Sequence, residues 1–473
     1  MRKMRNEELR KAMGGAAVTA VLFVVSGCGS YSSYHREGPV IDASILRAGL
    51  SVGDSCSAML QSPTFQGWRE VFTEPRLVAL IEEGLAHNSD LTIAKLHVDA
   101  AKSLLRQAKG EQLPSLGVVA EGGTSRFKNS EAEADSESKF RVGAEASWEV
   151  DIFGKLKNAK SAAAAHVEEQ TAYAQAVEVE LISTIATSYY QLEMYDSQIR
   201  HTCDIVNSWD ESVRVEKALL GVGEATIDEV NMAEASKLEA SETLESLQQQ
   251  MIHAEDALCV LLGRHSGHIE RDDFDMSFAQ MPQMPRVSIA SLSSRPDIRQ
   301  AEASLKRAFY LTNEARSALY PSLNLSGFIG WTNDADEVVS PAGLLTKALG
   351  SLTQPIFAKG RLRSAVRQAE SEQESAKVSF RQAILKAGQE VNDVLASLQY
   401  TQRAIALSSQ QVEKLTSVLE STEHRMRYSG DVNYLQVLLA RQSLLHARLS
   451  LLSHRYGLLE CSIQLYKALG GKF

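Results

Sequence analysis

Two hydrophobic periods run through this chain. From Phe140 to Ile152 apolar and polar residues alternate. Phe140, Val142, Ala144, Ala146, Trp148, Val150 and Ile152 share one face, and Arg141, Gly143, Glu145, Ser147, Glu149 and Asp151 the other. A period of two predicts a strand with one apolar side. Leu323, Leu325, Ile329 and Trp331 repeat the pattern opposite Ser322, Asn324 and Ser326. Alternation alone fits a transmembrane barrel and a water-soluble sandwich equally. Polar loops at 128–138 and 333–343 separate the strands of each pair. The rest of the chain follows a helical period. Leu156 to Leu220 contains neither Pro nor Gly, which predicts one helix of roughly 98 Å. Flanking helices over about 88–113 and 225–263 together match it in length. One continuous helix is thus expected beside two shorter ones stacked end to end. Leu238, Leu244, Leu247, Met251 and Leu258 read as the packing face of the second short helix.

The arrangement occurs twice. Asp90-Leu91 and Leu113-Pro114-Ser115-Leu116 return about 207 residues later as Asp297-Ile298 and Tyr320-Pro321-Ser322-Leu323. Val222-Gly223 and Leu262-Gly263 return as Ser429-Gly430 and Leu469-Gly470. The period is far too long for a solenoid. It divides the mature chain into a first repeat, 88–263, a connector, 264–294, a second repeat, 295–470, and a tail, 471–473. Four strands do not close around a channel, and open sheet edges are not tolerated in lipid. Twelve strands from three chains would close and leave a lumen. The expected fold is mainly α with a small β part: an internally duplicated long-helix α-barrel, with four strands per chain joining a 12-stranded barrel in a homotrimer.

The N-terminus adds a compartment. Arg2, Lys3, Arg5, Arg10 and Lys11 precede an apolar run from Ala16 to Gly27, too short to span a bilayer and matched to a signal-peptide core. Val25-Ser26-Gly27-Cys28 resembles the lipobox of bacterial lipoproteins, which makes 1–27 a signal peptide, Cys28 the lipidated residue and 28–87 an extended N-terminal segment. Gly29 rather than Asp after the cysteine favours the outer membrane. The remaining cysteines, Cys56, Cys203, Cys259 and Cys461, form no CxxC or Cys/His cluster, so no zinc site is expected. Cys203 and Cys259 lie too far apart along the helical hairpin to bond within one subunit. Composition excludes further classes. The chain of 473 residues carries 59 Asp and Glu against 49 Lys and Arg, so no nucleic-acid-binding basic face is expected. There is no nucleotide loop, GxSxG or HExxH, so neither catalysis nor a cofactor or metal is expected. His265 and His268 read as a solvated loop.

Several longer motifs carry a family resemblance. They are Trp68-Arg69-Glu70-Val71-Phe72, Ala146-Ser147-Trp148-Glu149-Val150-Asp151-Ile152-Phe153-Gly154, Arg295-Pro296-Asp297-Ile298, Leu352-Thr353-Gln354-Pro355-Ile356-Phe357 and Tyr428-Ser429-Gly430. In this order the sequence resembles the TolC-type outer-membrane factors, within them the NodT-like lipoprotein branch of efflux pumps. The resemblance implies a passive exit duct of a tripartite efflux system, held in outer-membrane lipid. It also implies a periplasmic adaptor (membrane fusion protein) and an inner-membrane pump of the resistance-nodulation-division type. It places the adaptor-docking tip at Gly221, Val222, Gly223, Ser429, Gly430 and Asp431. Gln436 and Leu439 stand where the family commonly carries gate acids, so Leu435, Leu438 and Leu439 form either an apolar constriction or ordinary helix packing. Asp431 and Asp228 are the remaining acidic candidates, with Arg425 and Arg427 as partners. Trp148 and Trp331 are the expected membrane-interface aromatics. The outer component of a type I protein secretion system is the alternative within the same class, and a periplasmic coiled-coil scaffold lipoprotein the alternative from another.

Overall fold

The computed structural model describes residues 33–35, 67–127, 135–271, 292–332, 345–428 and 434–471. Three helices come first: α1 (Trp68–Val71), α2 (Pro75–His87) and α3 (Ser89–Gly110). Strands β1 (Ser115–Phe127) and β2 (Asp135–Val150) lead into α4 (Lys155–Val222) and α5 (Ile227–Leu261). The second half holds α6 (Pro296–Ser317), β3 (Ser322–Thr332), β4 (Leu345–Thr353), α7 (Arg361–Tyr428) and α8 (Tyr434–Ala468). The duplication is legible in the lengths: α3 and α6 have 22 residues each, α4 and α7 68 each, α5 and α8 35 each. The expected helices are present with ends shifted by a few residues. The loop expected over 128–138 is shorter, because Phe127 pairs with Asp135 and β2 has already begun there. Cross-strand pairing overrides the polar composition of those residues.

The chain divides into two compact units that cut across the duplication. One comprises residues 1–38, 98–170 and 301–380 and contains the whole sheet. Its four strands are antiparallel in the order β1-β2-β3-β4, so β1 and β4 are its edges among the described residues. The other comprises residues 39–97, 171–300 and 381–473. Its core gathers Leu77 and Ile81 from α2, Ile182, Ile185, Tyr189 and Leu192 from α4, and Leu258 and Leu262 around the end of α5. Each is essentially without solvent contact, and burying such a side chain contributes about 1.5–3 kcal/mol.

In the same unit the short helices stack end to end, through equivalent joints in both repeats. Asn88 caps α3, its Oδ1 accepting from the Leu91 N–H at 2.9 Å. Its Nδ2 donates to the Leu261 carbonyl at the end of α5, also at 2.9 Å. In the second repeat Arg295 takes that place and donates to the Ala468 carbonyl at 2.7 Å. Gly263 and Gly470 close α5 and α8 with φ of 71° and 79°. A β-carbon on Gly263 would stand 2.7 Å from the His87 carbonyl oxygen, so glycine is needed both for the left-handed turn and for the close approach.

Candidate functional site

Three surfaces are candidates. The first is the sheet. Phe140, Val142, Trp148, Leu325, Ile329 and Trp331 are all substantially exposed. The register pairs Val142 with Trp331, Ala144 with Ile329 and Trp148 with Leu325, so these side chains form one continuous apolar face. The two tryptophan levels are six residues apart along β2, about 20 Å at a strand's rise. The Trp148 indole N–H donates to the Gln112 carbonyl at 3.1 Å, leaving its ring on the apolar side. The opposite face carries Glu121, Arg141 and Glu145, in register with Thr332, Phe328 and Lys347.

The second surface is the turn between α4 and α5. Gly223 adopts φ 79°, and the Glu224 N–H reaches back to the Leu219 carbonyl at 2.9 Å. Thr226 then starts α5 with a capping box. It accepts from the Glu229 N–H, while the Glu229 carboxylate accepts from the Thr226 N–H at 2.7 Å. Those bonds hold the Glu229 carboxyl below its usual range. This rigid bend presents Val222 with 73% of its surface exposed, flanked by Ile227 and Leu219. Of the expected tip residues, Gly221, Val222 and Gly223 are therefore at this turn. Ser429, Gly430 and Asp431 lie outside the described residues, as do Cys28 and Cys56.

The expected gate residues separate. Leu438 packs with Trp209, Val213, Ala233 and Ala240 between helices of one chain, whereas Gln436 and Leu439 are exposed. Leu435 belongs to α8, with its side chain outside the described set. Asp228 falls in the first turn of α5, and Arg425 and Arg427 in the last turn of α7, where each sign of charge complements the helix dipole. Two features here were missed from sequence. Arg441 of α8 binds Glu423 of α7 at 2.8 Å and the Ser212 hydroxyl of α4 at 2.9 Å. Glu216 of α4 is buried, and its Oε1 lacks a hydrogen-bond partner. Burial, then the charge of Glu229, pushes its carboxyl above the usual range.

The third surface is a set of exposed apolar stripes on three helices. On α7, Val378, Leu385, Tyr400, Leu407 and Val418 are all about half exposed or more. At 100° per residue they fall within an arc of about 60°. Ile227, Leu238, Ile252 and Val260 form a similar stripe on α5, and Ile93, Leu96 and Leu104 one on α3. On α8, by contrast, the one large hydrophobic residue this exposed among the described side chains is Leu439.

The connector supplies no metal centre among the described residues. His268 leans on Glu255 at 2.9 Å. Arg271, almost fully buried, joins Asp196 and Glu255 and tethers the connector. Cys203, Cys259 and Cys461 are free thiols.

Comparison with known proteins gives a consistent picture. The family model described as "Outer membrane efflux protein" matches residues 80–264 and 288–471. "Cation efflux system protein CusC" of Escherichia coli (strain K12) is 29% identical over 408 residues, covering 86% of this chain and 88% of that protein. "Probable outer membrane lipoprotein SilC" of Salmonella typhimurium is 26% identical over 458 residues, covering 96% of this chain and 97% of that protein. A solved structure of CusC superposes with a TM-score of 0.81 at 27% identity, covering 94% of this chain and all of that one.

Proposed function

The chain belongs to the outer membrane efflux protein family, and from that membership we propose a homotrimeric exit duct whose tip docks a periplasmic adaptor. The protein is an outer-membrane exit channel for efflux, and its relatives are the outer-membrane components of efflux systems. In the reading proposed here, small molecules pass through passively. The energy and the selection of cargo belong to an inner-membrane pump of the resistance-nodulation-division type.

The observation that carries the trimer is the match between two kinds of unsatisfied edge. Among the described residues β1 and β4 each lack a second neighbouring strand. The helices flanking them, α3 before β1 and α7 after β4, carry exposed apolar stripes, and α5, stacked on α3, continues the first of them. Joining β4 and α7 of one protomer to β1 and α3 of the next satisfies both edges head to tail, and three copies close a twelve-stranded ring. Leu407→Glu places a charge in the centre of one stripe. It is expected to remove most of the detergent-resistant, heat-dissociable trimer while the chain still fractionates with the outer membrane. Wild-type trimer yield in that variant would sink the reading.

For the adaptor, the exposed Val222 on its capped turn offers a compact apolar contact. Val222→Asp should lower adaptor capture by a photo-crosslinker at Gly221 about tenfold, equivalent to ~1.4 kcal/mol. Trimer yield should be unchanged. Undiminished capture would place docking elsewhere.

Lipidation at Cys28, read from the lipobox, is compatible with where Tyr34 is held. Tyr34 packs edge-on against Phe309 of α6, ring centroids 5.7 Å apart. Cys28 is six residues upstream, within about 20 Å of extended chain. Phe309 is itself 13 residues before the start of β3 at Ser322. An acyl chain on Cys28 can therefore enter the membrane at the periplasmic end of the sheet.

A further inference from the structure

The polar face of the sheet carries one arrangement that strand packing alone does not require. Gly143 of β2 and Gly330 of β3 are directly paired and leave a bare patch of backbone. Phe328 lies on this polar face and is only 8% exposed. Its ring covers the patch so closely that a β-carbon on either glycine would come within 2.8 Å of it. The Arg141 guanidinium stacks over the same ring, 4.3 Å from its centroid. Glu145 of β2 lies 3.4 Å from that guanidinium and Glu121 of β1 3.8 Å. A long, flexible cation is thus held at one height on the wall by a ring beneath it and carboxylates on either side.

We propose that Arg141, positioned by Phe328, determines the ionic preference of the duct within its barrel. This rests on the trimeric-barrel reading above, in which the polar face lines the lumen. Arg141 is nine residues above Val150, where β2 ends toward α4, and six below Asp135, where β2 begins. With its guanidinium drawn over Phe328, the site lies part-way along the sheet, between its two ends. Three copies would place three fixed guanidinium groups and six carboxylates around one level of the pore, with three unclamped Lys347 side chains in register with them. The carboxylates are the more exposed partners, at 66% for Glu121 and 49% for Glu145 against 36% for Arg141. Mobile cations meet those carboxylates, and the three arginines offset half of their charge. A lumen this wide selects weakly, and a charged ring acts through the local concentration of ions rather than by stripping their water.

The test uses purified full-length trimer in planar bilayers under a KCl gradient. Arg141→Gln should raise the K⁺ over Cl⁻ permeability ratio about twofold at low salt, with the effect fading as salt approaches 1 M. Glu121→Gln should shift the ratio in the opposite direction. Lys347→Gln serves as a control, because Lys347 faces the same side of the sheet by register without being clamped. A smaller shift for Lys347→Gln supports the proposal. Equal shifts for the two cations, or none for Arg141→Gln, would overturn it. Heat-dissociable trimer and wild-type conductance in the unmodified channel show that the barrel reading stands, so its failure is distinguishable from failure of the Arg141 assignment.

Discussion

Arg295→Leu destabilises the helical unit by about 3 kcal/mol, the lower end of what breaking a buried ion pair costs. The Arg295 side chain is 6% exposed. It donates to the Ala468 carbonyl at 2.7 Å, to the Glu390 carboxylate at 2.6 Å, and to Asp297 through two nitrogens. Leucine fills part of the volume but leaves the Ala468 carbonyl at the end of α8 without its donor. Glu390 and Asp297 are each about 40% exposed, so water relieves part of their loss, which keeps the figure at the low end. Arg295→Lys retains one charge but not the planar fork, and should fall between leucine and wild type. Asn88→Ala removes the equivalent but uncharged cap and should cost only about 1 kcal/mol. Thermal unfolding of detergent-solubilised protein, read by circular dichroism, gives the order. A melt of Arg295→Leu within error of wild type would show that the joint is not where the stacked helices are secured.

The second large effect is on assembly. Gly330→Val is expected to abolish trimer formation. A β-carbon there would lie 2.3 Å from the Val142 carbonyl oxygen and 2.5 Å from the Gly143 α-carbon, with the Phe328 ring at 2.8 Å. Two of these obstacles are backbone atoms of the neighbouring strand, so no side-chain rearrangement gives room. The strands must separate, and separated strands in lipid leave unpaired N–H and C=O groups. Gly327→Ala is the matched control: on the same strand, its nearest atom would be 3.8 Å away. Outer-membrane fractionation and heat-modifiable gels read both variants. Normal assembly of Gly330→Val would refute the close pairing of β2 and β3 at this level.

Much of this protein is carried by local pattern. The period-two run at 140–152 and the unbroken helical run at 156–220 are properties of consecutive residues, and they became β2 and α4 with small shifts. The duplication was equally legible, because recurring glycines such as Gly263 and Gly470 mark turns set by their own backbone angles. Family membership followed from the order of those motifs and is supported by the family match. The gate residues show where pattern stops. Leu435, Leu438 and Leu439 look alike in sequence, yet Leu438 is buried against Trp209 and Leu439 is exposed. Which neighbour a helix face meets depends on rotation about the helix axis, and residues one apart differ by 100°.

The sequence by itself therefore determined the element types, their duplication, the family and the apolar and polar faces of the strands. Each of these depends on residues close in the chain or repeated at a constant interval. Only the tertiary structure decided that Asn88 and Arg295 are the same joint, each bonding a carbonyl 173 residues away. It also decided that Phe328 fills the hollow of two facing glycines beneath Arg141, and which apolar residues remain uncovered for another subunit. Those contacts depend on strand register and helix rotation across long separations. Packing of the whole chain sets both, and no local periodicity encodes them.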